Sequence, residues 1–240
     1  MKCSSGLTMQ REKPAHTRYL PFGDSGLLIE FGDMIDSKTN NTVITLNDAI
    51  LETNIQGIEE LVPTYRSLLV RYNPQEISYE KLLYHVKDIE RTPRPPTTRE
   101  GKQTVIPVIY GGEYGPDLEH VAEIHGLTEE QVIRLHSERR YRVYMIGFIA
   151  GFPYLGEVAD EIATPRLETP RLKVPAGSVG IAEKQTGIYP CEAPGGWQII
   201  GRTQARLFDP TQKPPTLLEA GDVIRFKPIT EKEYTALTTE

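Results

Sequence analysis

The chain has 240 residues, 38% hydrophobic and 25% charged, with a formal net charge of −6 at pH 7. This is the make-up of an ordinary soluble globular protein, with length enough for two small domains. The acidic balance without a basic run excludes nucleic acid as the main partner, and no apolar stretch approaches the roughly 18 residues of a membrane span, so no membrane partner is expected.

Residues 1–16 are polar and aperiodic and read as a flexible extension. They lack the apolar core of a signal peptide, which points to a cytoplasmic protein. YLPFGDSGLLIEFG, from Tyr19, predicts two short strands around a Gly-Asp-Ser-Gly turn. A helix begins near Ser37, with Val43, Leu46, Ile50 and Ile55 at helical spacing and Gly57 as its stop. IEELVP and YRSLLVRY read as strands. Ser78 then caps a helix through Glu90 that carries Leu82, Val86 and Ile89 on one face. With room for a closing strand, residues 17–92 form an α+β domain of the ferredoxin-like kind.

The prolines of TPRPPTTREG cannot continue a helix, so residues 93–101 read as a semi-rigid linker. After it, QTVIPVIYGG is a strand, and PDLEHVAEIHG and TEEQVIRLHSE are short helices. Gly126 stops the first, and Thr128 with Gln131 forms a capping box on the second. YRVYMIGF resumes a strand. The rest of residues 102–230 is short strands broken by turns such as Ala176-Gly177-Ser178, Pro194-Gly195-Gly196 and Ala220-Gly221-Asp222, which implies a barrel or sandwich.

Chemistry-bearing patterns are sparse. There is no phosphate loop and no dinucleotide glycine motif, and the five histidines do not pair at zinc-ligand spacing, so no metal is expected. His120 and Asp117, at i and i+3, read as a solvated helix face. Cys3 and Cys191 make no disulfide framework, and Cys191 reads as a plain thiol in a turn before it reads as a nucleophile. Ser178 lacks a nucleophile elbow and reads as a backbone cap. His136 is open to two readings: a general base, or a helix C-terminal imidazole offsetting the dipole, which is favoured.

The stretch from Tyr144 to Arg202 is the informative one. Arg166 and Arg171 are each presented by a proline in TPRLETPR, and Arg202 follows the Gly-Gly-Trp turn. Guanidinium forks suit carboxylate or phosphate. Phe148, Phe152, Tyr154, Tyr189 and Trp197 lie near them in sequence. Barrel core and surface ion pairs would explain any one of these residues; for the group, a recognition surface is the better reading. Phe152-Pro153 and Tyr189-Pro190 are candidates for cis bonds, with trans the default.

These segments resemble a known family. GFIAGFPYLG, TPRLETPR, VPAGSVGIAEKQTGIYP and PGGWQIIGRT look like the signature of the family called allophanate hydrolase subunit 1, or KipI/PxpB. FGDSGLLIEFG, YGGEYGPDL and VIRLH match its other segments, from about Tyr19 to Pro228. Ala150 stands where many members carry proline. The resemblance implies a ferredoxin-like N-terminal domain and a cyclophilin-like β-barrel. It implies work with a larger KipA/PxpC-like subunit and a PxpA-like protein as an ATP-dependent 5-oxoprolinase. That enzyme converts 5-oxo-L-proline to L-glutamate with ADP and phosphate, and ATP is a substrate of the complex rather than a ligand of this chain alone. A Bacillus-type member would also inhibit autophosphorylation of a sporulation sensor histidine kinase. On this basis Arg166 or Arg171 would pair with the 5-oxoproline carboxylate while Phe152, Tyr154 and Trp197 border its ring. Two alternatives stay open: a purely regulatory kinase-binding protein, and a carboxyltransferase-like component of a urea carboxylase or allophanate-type system.

Overall fold

The computed structural model describes residues 17–33, 35–92 and 101–237. The expected N-terminal extension, Cys3 and nearly all of the linker lie outside the described residues. Those described fall into two compact units: the first runs to Val62 and from Arg66 to Thr92, and the second holds Pro63–Tyr65 and the chain from Gly101 onward. No described helix is long and apolar enough to cross a membrane.

In the first unit β1 (Arg18–Phe22), β2 (Gly26–Glu30), β3 (Ile58–Pro63) and β4 (Ser67–Tyr72) form a sheet of order β1-β2-β4-β3. Alternate residues of β4, Leu68, Val70 and Tyr72, point into the core with Leu27 and Ile29 of β2, as the two-residue period of a strand requires. Helices α1 (Ser37–Thr53) and α2 (Tyr79–Arg91) supply Val43, Leu46, Ile50, Leu82, Val86 and Ile89 to the same cluster. Asp36 caps α1 through the Thr39 N–H, and Ser78 caps α2 through the Lys81 N–H. Helix α1 stops at Asn54, not at Gly57. Asn54 takes the left-handed conformation (φ 47°) and sets Ile55 outside the helix. The edge place beside β2 is held by β1, from the start of the unit. A closing strand after α2 would fall on residues outside those described.

The second unit contains β5 (Gln103–Tyr110), α3 (Leu118–His125), α4 (Glu129–Ser137), β6 (Tyr141–Ile146), β7 (Pro153–Gly156), a 3-10 turn (Asp160–Ile162) and β8 (Arg171–Val174). It continues with β9 (Ser178–Ala182), β10 (Gln185–Ile188), β11 (Ala193–Gly195), β12 (Gln198–Arg202), β13 (Val223–Pro228) and α5 (Glu231–Leu237). Seven strands close a barrel in the order β10-β7-β6-β13-β5-β12-β9, while β8 and β11 form a separate two-stranded ribbon. The β5–β13 pair is parallel; the other barrel pairs are antiparallel. Closure leaves no free edge and lets alternate residues such as Ile106, Val108, Val143, Leu155, Val179, Ile181 and Phe226 fill the interior. The capping box on α4 is present, with the Gln131 N–H donating to the Thr128 side chain and the Thr128 N–H donating to the Gln131 side chain. Helix α5 lies beyond residue 230, the end of the barrel domain expected from sequence. Among the described residues the cis bonds are Gly156-Glu157 and Lys213-Pro214; neither of the two aromatic-proline bonds singled out from the sequence is cis.

Candidate functional site

The two prolines of Thr-Pro-Arg-Leu-Glu-Thr-Pro-Arg remove donors, so the segment 165–171 cannot pair as a strand along its length. It lies instead as a strap over the start of β12, tied at separate points. The Gln198 side-chain amide donates to the Pro165 carbonyl (2.9 Å), and the Leu167 N–H donates to the Gly196 carbonyl (2.7 Å). Arg171 closes the far end. Its Nη2 donates to Asp117 Oδ1 (2.6 Å), and its Nη1 donates to the Trp197 carbonyl (3.4 Å).

Asp117 stands just before α3 but does not cap it. Its second oxygen, Oδ2, accepts the Ile199 N–H at 2.6 Å, and its own N–H donates to the Ile199 carbonyl at 2.9 Å. One carboxylate, only 7% exposed, therefore joins α3, β12 and the strap through two charge-assisted bonds. The solvated face expected of Asp117 and His120 holds for His120 alone. Gly115 makes the approach of Asp117 feasible: a Cβ there would lie 2.1 Å from the Ile200 carbonyl oxygen.

Beneath the strap is an aromatic cluster. The Phe152 ring lies 4.9 Å from Tyr154, 5.1 Å from Tyr189 and 5.4 Å from Trp197, centroid to centroid. Phe152 and Tyr189 are each 1% exposed and Trp197 is 5% exposed, so these three rings are a floor rather than an open wall. Above the floor, the Arg166 guanidinium carbon sits 5.9 Å over Trp197. Arg166 is exposed, and among the described residues no carboxylate or hydrogen-bond acceptor meets it. Burial raises the Tyr154 pKa and pushes that of Tyr189 up to about 12, with the Arg166 charge opposing both. Both phenols stay protonated at neutral pH. Phe148, held at φ 66° in the turn before β7, is largely exposed beside Phe152, with ring centroids 5.7 Å apart.

A model of the family described as carboxyltransferase domain, subdomain C and D, matches residues 17–218. The chain belongs to that family. The B subunit of 5-oxoprolinase from Bacillus subtilis is 45% identical over 230 residues, covering 91% of this chain and 95% of that protein. Its counterpart from Haemophilus influenzae is 59% identical over 127 residues, 53% of this chain and 60% of the relative. The likeness to KipI/PxpB members therefore holds. Among solved structures, that of the protein TTHA0988 is 37% identical with a TM-score of 0.77, covering 85% of this chain and 40% of that chain. The chain thus spans about two fifths of that structure. The span matched by the family takes in the strap, Asp117 and Arg202, and leaves β13 and α5 outside it.

The structure brings Arg166, Arg171, Phe152, Tyr154, Tyr189 and Trp197 together. Arg202 stands apart at the opposite end of β12, over the ring of Tyr114 (5.6 Å). His136 also stands apart, fully buried in the barrel and stacked on Phe226 at 4.5 Å. Its tautomer follows from its neighbours. The Thr186 hydroxyl donates to the Gly180 carbonyl (2.9 Å), so it accepts from His136 Nε2–H (2.9 Å), and Nδ1 accepts the Tyr110 O–H (2.8 Å). Burial lowers its pKa to about 3, so at neutral pH it carries no charge with which to offset the helix dipole. Cys191 is an exposed free thiol, and Ala150 sits exposed in the turn after Phe148. Among the described residues no group of acids, histidines and cysteines is placed to hold a metal ion. Two contributors escape a sequence reading, the ion-pairing role of Asp117 and the tie made by Gln198. An aspartate ahead of a helix signals a cap, and nothing local marks a pairing with an arginine 54 residues away.

Proposed function

We propose that this chain is the B subunit of an ATP-dependent 5-oxoprolinase and that its Arg166 face receives the carboxylate of 5-oxo-L-proline. The observation that carries this reading is the Arg166 guanidinium: exposed, without an acceptor among the described residues, and held over a buried indole on a strap tied at three points. Such a group recognises a small carboxylate in a fixed orientation. Arg171 is committed to Asp117, so the two strap arginines divide the work: Arg166 meets substrate and Arg171 holds the strap. Tyr154, half-buried and protonated, supplies a further donor at the edge of the same face. Phe152 and Trp197 support the lactam from below.

A five-membered lactam is a poor electrophile. Transfer of the ATP γ-phosphoryl group to the amide oxygen makes its carbon attackable by water, and loss of phosphate with C–N cleavage gives L-glutamate. This chain's residues fit the holding part of that sequence, with ATP assigned to the complex and with KipA/PxpC-like and PxpA-like partners completing it. The two relatives, each named as one lettered component of 5-oxoprolinase, support membership of a multi-subunit assembly.

Reconstitution tests the reading. Mixed with both partners, the chain restores 5-oxoproline-dependent ATP hydrolysis and glutamate formation, and leaving it out removes both. No turnover with all three proteins folded, together with suppression of histidine-kinase autophosphorylation by this chain alone, would replace the enzyme reading with the regulatory one.

A further inference from the structure

We propose that Arg202 anchors a second anion site, at the end of β12 away from the strap, that takes the carboxylate or phosphate oxygens of a small ligand. Its Nε–H is shielded from solvent and has no acceptor among the described residues, although the residue as a whole is only half-buried. No described carboxylate lies within ion-pair distance of it. Stacking on Tyr114 occupies the face of the guanidinium and leaves the in-plane donors unused. The half-buried guanidinium keeps part of its fork open to solvent, where an acceptor from outside the chain can reach it.

The surroundings are built rather than incidental. Tyr114 is carried by a tight turn with Gly111 (φ 72°) and Gly112 (φ 53°), and its ring is backed by Tyr234 of α5 at 5.0 Å. On the other flank Ser178 of β9 is the direct register partner of Arg202, so both side chains leave the same face of the barrel wall. The Ser178 hydroxyl is completely buried and likewise has no partner among the described residues. A Cβ on Gly177 would lie 3.3 Å from Arg202 Cγ, so the arginine arm runs across that glycine. The unused groups are a guanidinium fork and a hydroxyl. An oxyanion at the exposed edge of the guanidinium satisfies the fork, and the positive charge excludes a cation.

This site does not depend on the lactam reading. Its test is an NMR titration of the full-length, 15N-labelled chain at low ionic strength with inorganic phosphate, with L-glutamate and with sodium chloride as control. The Arg202 Nε–H resonance is assigned by its loss in Arg202→Lys. Saturable shifts with phosphate or with glutamate are expected, and which of them saturates identifies the source of the oxyanion. Read from the backbone amide of Ser178, which every variant keeps, Arg202→Gln weakens binding by at least about tenfold, while Arg166→Gln leaves the binding seen at that amide unchanged. Arg202→Lys, which keeps the charge and loses the fork, also weakens it and carries the test if the Gln variant does not fold. Chloride-like unsaturable shifts with both ligands, unchanged affinity in the Arg202 variants, or equal loss in Arg166→Gln would overturn the proposal.

Discussion

Asp117→Ala lowers the stability of the second unit by about 3 kcal/mol, measured by urea unfolding followed through Trp197 fluorescence. Trp197 is the chain's single tryptophan and lies in that unit, so it reports the barrel and not its neighbour. The size of the effect comes from what the substitution leaves behind. Arg171, partly buried, loses its only ion pair among the described residues, and the Ile199 N–H loses its 2.6 Å acceptor in a buried place. Removing one partner of a charge-assisted bond costs more than the bond contributed, because the remaining group cannot return to water. Asp117→Asn keeps an acceptor but loses the charge, and falls between wild type and the alanine variant. An alanine variant within about 0.5 kcal/mol of wild type would mean that the carboxylate does not hold the strap.

Acidification is the second large effect, and its sign is set by His136. The folded-state pKa of about 3 lies below the ordinary 6.5, so on acidification the unfolded chain takes the proton first. The contribution is fully present above about pH 6.5 and is lost as pH falls toward 3. At about 1.4 kcal/mol per pH unit this one imidazole withdraws on the order of 5 kcal/mol across that window. His136→Gln starts less stable, because it gives up the ring stacked on Phe226. It then loses stability with acid less steeply than wild type by up to one proton's worth of slope. Carboxylates contribute equally to both proteins and cancel in the comparison. Parallel pH profiles for the two would show that His136 takes its proton in the folded barrel as readily as in the unfolded chain.

Local chemistry is largely legible in the sequence. Ser78 and the Thr128–Gln131 box are read by their own neighbours, and both stand where expected. The end of α1 is harder, because Asn54 and Gly57 can each take a left-handed residue's role and only packing chooses between them. The barrel is legible as a run of short strands and turns, whereas its closure, with β5 and β13 parallel across 120 residues, is a non-local fact. The site is half legible. The density of aromatics and arginines marks the right segment, but sequence does not tell floor from wall: Phe152, Tyr189 and Trp197 are buried, and Arg166 above them is exposed. Nor does it separate two arginines presented by the same Thr-Pro motif, since what divides them is Asp117 ahead of a distant helix.

That division is the central claim, and steady-state kinetics of the reconstituted complex test it most directly. Arg166→Ala raises the KM for 5-oxoproline by about 10- to 100-fold, the worth of one charge-assisted bond to a carboxylate, with the melting of the second unit unchanged. Arg166→Lys recovers part of the loss. A wild-type KM and kcat for Arg166→Ala in a folded, assembled complex would contradict the account.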